Sequence, residues 1–259
     1  MAYKIIQNAM APKCTEADGL DLTYNSHMIM WDRCNYRCSF CEFAAHDFKR
    51  TENYHDLTQD QFITVILQLM KSGKNFKFSG GEPTLNPFIE QHLQIVKQLG
   101  GTIFFDTNGS NPELVKRLLD KRLIDVLAVS IKGLTPDECL ATAAIKRKDF
   151  CWDNPLKTIE YGAYTKGVKV IVTHVCYNDA SIEELRRFSD LLEPFPDVFY
   201  KINNLNGSVH KDESLVPVNS DKLIGLLKQL VEEKPFWKNR MIYINDKSGV
   251  TNYDRILFM

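Results

Sequence analysis

Three thiols within eight residues, Cys34, Cys38 and Cys41, are the densest metal-binding chemistry in this chain. Their C-x3-C-x2-C spacing on one short loop lets each thiolate ligate a different iron of a cubane cluster. The fourth iron is then left without a protein ligand and open to a small molecule. The competing reading is a structural zinc ion. That ion asks for four Cys or His ligands, and the nearest candidates, His46 and His55, lack the usual finger spacing. Further on, Ser79-Gly80-Gly81-Glu82-Pro83 joins glycines, which let backbone approach a ligand closely, to a carboxylate that can accept charge-assisted hydrogen bonds from an ammonium group. Read alone, the same stretch is a strand-to-helix turn.

With the aromatic Phe40 directly before the last cysteine, the thiol motif resembles the signature of the radical S-adenosylmethionine (radical SAM) superfamily. The resemblance implies that Cys34, Cys38 and Cys41 hold one [4Fe–4S] cluster and that S-adenosylmethionine chelates the open iron through its amino and carboxyl groups. One electron then cleaves the cofactor to methionine and a 5′-deoxyadenosyl radical, which takes a hydrogen atom from a substrate. It further implies Phe40 near the adenine, with Ser79, Gly80, Gly81 and Glu82 around the methionine ammonium.

Asp106-Thr107-Asn108-Gly109 resembles the DTNG stretch of glycyl-radical-enzyme activating enzymes, such as pyruvate formate-lyase activase. There the Asp and Thr help hold a monovalent cation beside the cofactor carboxylate, and Asn108 shares the motif. Ser130-Ile131-Lys132 stands where those enzymes commonly have Asp-x-Lys. Lys132 matches and suits a carboxylate partner. Ser130 departs, and a neutral hydroxyl is a poorer hard-cation ligand than a carboxylate, which argues against the cation. The resemblance covers about Tyr24 to Asn206. No second cysteine group follows Cys41 or occupies the C-terminal region, so one cluster is expected.

His174, Cys176 and Asn178 lie on one face of an extended chain, either into the barrel or away from it. His174 is a candidate for the cofactor side. Cys176 is a candidate hydrogen-atom donor to a substrate radical, with Cys139 and Cys151 weaker ones; the ordinary reading of each is a core or surface residue. Lys201, Asn203, Asn204 and Asn206 form a polar group suited to substrate hydrogen bonds, although asparagines at strand ends also make turns.

Positioning these groups falls to an alternation of β-rich runs and helical patterns. Strands are predicted at Tyr24–Trp31, Asn75–Ser79, Thr102–Asp106, Val126–Ile131, Val168–Val175 and Val198–Ile202. Helices are predicted at Thr58–Lys71, Pro87–Leu99, Pro112–Lys121, Pro136–Thr165 with a break near Asn154-Pro155, Ile182–Leu192 and Ser220–Glu233. Thr58 with Gln61, Thr135 with Glu138 and Ser181 with Glu184 read as helix starts. Six βα units with no linker predict an α/β fold, a partial (β/α)6 barrel of parallel strands with a short C-terminal extension, and sites at the strands' C-terminal ends. A single domain spans residues 1–259, its core at about 24–206 and a helix and tail over 207–259, with a strand at Met241–Ile244.

The 259 residues are 44% hydrophobic and 25% charged, an ordinary globular composition. A formal net charge of -1 shows no basic excess, so neither nucleic acid nor an acidic membrane is indicated. With no apolar run of roughly 18 residues, no leader pattern and seven cysteines too scattered for a disulfide framework, a reducing cytoplasm is expected. Hydrogen abstraction from a polypeptide, as by the activating enzymes, is the first functional expectation, with a flavodoxin- or ferredoxin-type electron donor. Radical modification of a small metabolite, nucleotide or ribosomal peptide is the alternative. A non-enzymatic metal-stabilised or electron-transfer protein is the reading from another class.

Overall fold

The computed structural model describes residues 2–10, 25–41, 55–145, 151–205, 212–246 and 253–257. Cys14, Tyr24, His46 and Asn206 lie outside the described residues. In chain order the elements are β1 (Ala2–Met10), β2 (Asn25–Trp31), β3 (His55–Asp56), α1 (Gln59–Leu69), β4 (Asn75–Gly80), α2 (Ile89–Gln98), β5 (Thr102–Thr107), α3 (Pro112–Asp120), β6 (Val126–Ser130), α4 (Pro136–Ala143), α5 (Asn154–Ala163), β7 (Lys169–Cys176), α6 (Ile182–Leu192), β8 (Val198–Asn204), α7 (Ser220–Glu233), β9 (Met241–Asp246) and β10 (Tyr253–Leu257). All ten strands belong to one sheet, in the order β10-β9-β8-β7-β6-β5-β4-β2-β1-β3.

From β2 through β9 every neighbouring pair is parallel, so each connection is a crossover, and each of these crossovers carries at least one helix among the described residues. The predicted helix starts form as hydrogen bonds. Thr58 and Gln61 make a reciprocal capping box on α1, Thr135 Oγ1 accepts the Glu138 N–H on α4, and Ser181 Oγ accepts the Glu184 N–H on α6. The long predicted helix over residues 136–165 divides into α4 and α5, with Pro155 in the first turn of α5, where its missing N–H costs nothing.

Two corrections concern the ends. The strand near Met241 adds to the six predicted parallel strands: β9 pairs in parallel with β8 and extends the sheet, while β10 returns antiparallel beside it. At the other edge β1, not predicted, pairs antiparallel with β2. Tyr3 secures it, being buried with its hydroxyl 2.6 Å from His92 Nδ1 and bonded to Asn86.

Alternation along the strands sorts the side chains into two worlds. Phe76 and Phe78, Ile103 and Phe105, Leu127 and Val129 join Phe62, Ile66 and Leu93 of the helices in the main core. Burying each such side chain contributes roughly 1.5–3 kcal/mol. The opposite face carries a smaller cluster in which Phe104 of β5, Val126 and Ala128 of β6, Ile171 of β7, Phe199 of β8 and Ile242 of β9 pack together. Side chains from β5 and β9 belong to one cluster only if the sheet curls, which makes the parallel strands a partial barrel with an apolar plug. The sheet order ends on β3 and β10, so among the described residues the barrel stays open.

Candidate active site

Beyond the plug, toward the strands' C-terminal ends, the same interior face turns polar: Ser79 of β4, Asp106 of β5, Ser130 of β6, Thr173 of β7, and Lys201 and Asn203 of β8. Lys77 reaches up from the plug level and pairs with Asp106 at 2.8 Å, and Ser79 Oγ donates to the same carboxylate at 3.0 Å. Burial alone would raise the Asp106 pKa, but the fields of Lys77 and Lys201 outweigh it and hold the carboxyl below its ordinary range. The Asp106 carboxylate is thus already partnered by an ammonium group of the protein. Asn203 Oδ1 is buried with no hydrogen-bond partner among the described residues.

Cys34, Cys38 and Cys41 follow β2 on a loop at this C-terminal end. Their side chains pack in one group with Tyr36, Phe40, Ala143 and Ile145. The Arg37 N–H donates to Ala143 O at 2.8 Å, which fastens the loop to α4. Cys34 Sγ accepts the Tyr36 N–H at 3.4 Å and lies 3.9 Å from Asn108 Nδ2. Burial, then Glu82 and the neighbouring thiols, push the Cys34 thiol up to about 12, and burial likewise raises Cys38. Thiols so raised become thiolates only beside concentrated positive charge, which the irons of a cluster supply. Among the described residues no three His, Cys, Asp or Glu converge on a single ion. A cubane asks instead for one thiolate per iron, so the donor set fits a cluster better than zinc.

The two glycine-bearing motifs do work the sequence did not disclose. A Cβ on Gly81 would stand 2.0 Å from Arg33 O, and one on Gly80, whose φ is +101°, 2.5 Å from Trp31 N. The glycines therefore make room for the backbone entering the cysteine loop, and the Gly81 and Glu82 N–H groups donate to Trp31 O and Arg33 O. The expected approach of ligand to these glycines is a second demand on the same turn.

Glu82 is fully buried, and burial raises its pKa against the pull of its donors. Its Oε1 accepts Thr84 N, Thr84 Oγ1 and Thr107 Oγ1, and its Oε2 accepts Asn108 N. Three of these donors converge on Oε1 and one on Oε2, which keeps a lone pair for a further donor. Within the chain Glu82 ties the loop after β4 to the loop after β5. Asn108 carries the tie onward by donating its side-chain N–H to Asn35 Oδ1 at 2.8 Å, while Asn35 donates to Ser110 Oγ. Thr107 and Asn108 thus position the cysteine loop.

A cavity of about 400 Å³ opens beside Phe40 and Lys132 and runs between α4 and α6. The Lys132 ammonium sits 5.0 Å from the Phe40 ring centroid. His174 lies on its wall, stacked on Phe188 at 3.8 Å between centroids, with Nε2 3.4 Å from Glu184 Oε1. Cys176 is not in the barrel. It is buried among the helix-facing core, its sulfur 4.0 Å from His174 Nδ1, because Thr173 and Val175 take the interior positions of β7. That placement corrects the expectation of Cys176 as hydrogen donor to a substrate in the barrel. Cys139 is buried in α4, donating to Gly133 O, and Cys151 is exposed beside Asp153. Asn204 also turns from the interior, its side chain bonding both backbone groups of Val218.

A family model described as the radical SAM superfamily matches residues 28–192. An S-adenosylmethionine-dependent nucleotide dehydratase of Flammeovirga pacifica is 26% identical over 255 residues, covering 93% of this chain and 81% of that protein. A protein of Methanocaldococcus jannaschii, named as a candidate glycyl-radical enzyme activating enzyme, is 24% identical over 216 residues, covering 76% and 79%. Among solved structures, Streptococcus suis SuiB bound to S-adenosylmethionine superposes with a TM-score of 0.62 at 17% identity, covering 86% of this chain and about half, 51%, of SuiB. The last likeness is one of fold. No helix among the described residues is long and apolar enough to cross a membrane.

Proposed function

This chain belongs to the radical SAM superfamily, and we propose that it holds one [4Fe–4S] cluster on Cys34, Cys38 and Cys41 and directs the resulting radical at a small anionic molecule, a nucleotide before other classes. Membership brings S-adenosylmethionine and an iron–sulfur cluster with it. When bound, they supply a 5′-deoxyadenosyl radical that abstracts a hydrogen atom. The rest is work for the chain's own residues. The Glu82–Asn108–Asn35 ties hold the cysteine loop over the barrel mouth. Phe40, Lys132 and the cavity beside them receive the organic cofactor.

The observation that carries the substrate class is the polar barrel interior below that loop. Lys201 and Asn203 Oδ1, which has no partner among the described residues, face the space in which a substrate meets the radical, while Lys77 offsets the charge of Asp106. Anions with hydrogen-bond donors match that lining. Similarity to a nucleotide dehydratase across 93% of the chain supports the same class. The polypeptide reading keeps two supports, the DTNG stretch and the similarity to the activating enzyme over 76% of the chain.

The reading is tested by anaerobic turnover with a panel of nucleoside mono-, di- and triphosphates and a panel of peptides, following 5′-deoxyadenosine. A nucleotide is expected to accelerate its release and to pass deuterium into it. Lys201→Ala is expected to weaken that nucleotide's half-saturation about tenfold, the worth of one charge-assisted hydrogen bond. Acceleration by peptides and by no nucleotide would overturn it.

A further inference from the structure

The cavity beside Phe40 has one feature that cofactor binding in general does not call for. Its charged lining is Lys132, Glu138, Glu184 and Arg187. Three of these have partners that account for them. Lys132 stands against the Phe40 ring, and Arg187 pairs with Glu138 Oε1 at 3.0 Å while Glu138 Oε2 accepts the Leu134 N–H at 2.6 Å. Glu184 is different, because its support comes from behind the cavity wall.

His174 approaches Glu184 from the core side, with only 5% of its surface exposed. Its other nitrogen, Nδ1, lies 2.9 Å from the Tyr200 hydroxyl, and Phe188 stacks on its ring. An imidazole gripped by the Phe188 ring and the Tyr200 phenol is a rigid mount, and it holds a carboxylate whose side chain remains 41% exposed at the cavity wall. Capping α6 does not require this arrangement, since Ser181 already accepts the Glu184 N–H. A carboxylate oriented by a buried partner and set at a cavity wall is built to accept hydrogen bonds from a ligand.

The cavity's other end identifies the ligand's chemistry. Phe40, Ile131, Val175 and Tyr177 provide flat and apolar surface beside the cysteine loop, the size suits a nucleoside, and Glu184 waits for donors. Resting on the reading of this cavity as the cofactor's, we infer that Glu184 accepts a hydrogen bond from the adenosyl group, from its exocyclic amine or its ribose hydroxyls, and that His174 is the positioning residue behind it.

The test uses the full chain, with and without reconstituted cluster, and 5′-deoxyadenosine as the probe, measured by calorimetry. Glu184→Gln is expected to weaken 5′-deoxyadenosine binding about tenfold, with iron content unchanged. Two analogues locate the donor: 5′-deoxyinosine, which lacks the amine, and 2′,5′-dideoxyadenosine, which lacks a ribose hydroxyl. In the wild type one of them is expected to bind at least fivefold more weakly, and in Glu184→Gln that difference is expected to vanish, as coupled groups require. His174→Gln keeps an N–H for Glu184 and is expected to retain affinity, whereas His174→Phe is expected to lose as much as Glu184→Gln. Equal binding by wild type and Glu184→Gln, or no discrimination between the analogues, would overturn the inference. Because the nucleoside needs no iron, a failure of cluster assembly would show separately, as absent iron beside intact nucleoside binding.

Discussion

Asn108 donates its backbone N–H to Glu82 Oε2 at 2.6 Å, and through its side chain the same residue holds Asn35, next to the first cluster cysteine. Two loops from different strands are thereby locked to a third. The buried Glu82 carboxylate is the centre of that lock.

Glu82→Gln is expected to destabilise the protein by about 1–3 kcal/mol, because a buried amide nitrogen would face a donor where the carboxylate oxygen now accepts one. Chemical denaturation measures the loss, and iron retained after anaerobic gel filtration measures its effect on the loop. An unchanged midpoint with full iron would show that the tie is dispensable.

Gly81→Ala sets a methyl 2.0 Å from Arg33 O, and backbone cannot yield as a flexible side chain would. Strain of about 1–3 kcal/mol or more is expected, concentrated where the cysteine loop begins, with iron content falling sharply. Gly225→Ala in α7 is the control, since nothing lies within 4 Å of its added carbon and helix propensity favours alanine by roughly 1 kcal/mol. Equal iron in the two variants would contradict the assignment.

Much of this was legible in the chain. The thiol spacing, the six predicted strand positions and the helix starts at Thr58, Thr135 and Ser181 are local signals, and they survive folding with small shifts at their ends. What stayed hidden depends on distant partners. Residues 2–10 show no clean alternation, and their strand is explained by pairing with β2 and by Tyr3 meeting Asn86 and His92. That Glu82 also holds Thr107 and Asn108 of another strand's end could not be read from its own neighbours in the chain. For β7 the periodicity offered two faces, and the choice between Thr173 and His174 belongs to the packing of Phe188 and Tyr200.

Cys176→Ala is expected to leave turnover intact, because the thiol lies in the helix-facing core and only 2% of its surface is exposed. A small cavity cost of about 1 kcal/mol is expected in denaturation. Loss of substrate conversion with 5′-deoxyadenosine release preserved would return Cys176 to the chemistry.

His174 supplies a pH signature. Burial lowers its pKa, but the Cys176 sulfur and the Glu184 carboxylate raise it further, from 6.5 to about 9. Since the folded value lies above the unfolded one, the stabilisation is complete below about pH 6.5 and is lost as pH rises through about 9, at most about 3 kcal/mol. Thermal unfolding of wild type minus His174→Gln, followed from pH 6 to 10, is expected to shrink across that window. A difference independent of pH would show that His174 is held neutral.

Radical chemistry at Cys34, Cys38 and Cys41 is tested by one anaerobic experiment. The reconstituted protein is reduced with dithionite in the presence of S-adenosylmethionine, 5′-deoxyadenosine is followed, and the electron paramagnetic resonance of the cluster is recorded. Release of 5′-deoxyadenosine together with a cofactor-perturbed signal from a reduced [4Fe–4S] cluster is the expected result, and Cys→Ala at any of the three positions is expected to abolish both. A loaded cluster that neither responds to S-adenosylmethionine nor cleaves it, or zinc in place of iron, would contradict the claim.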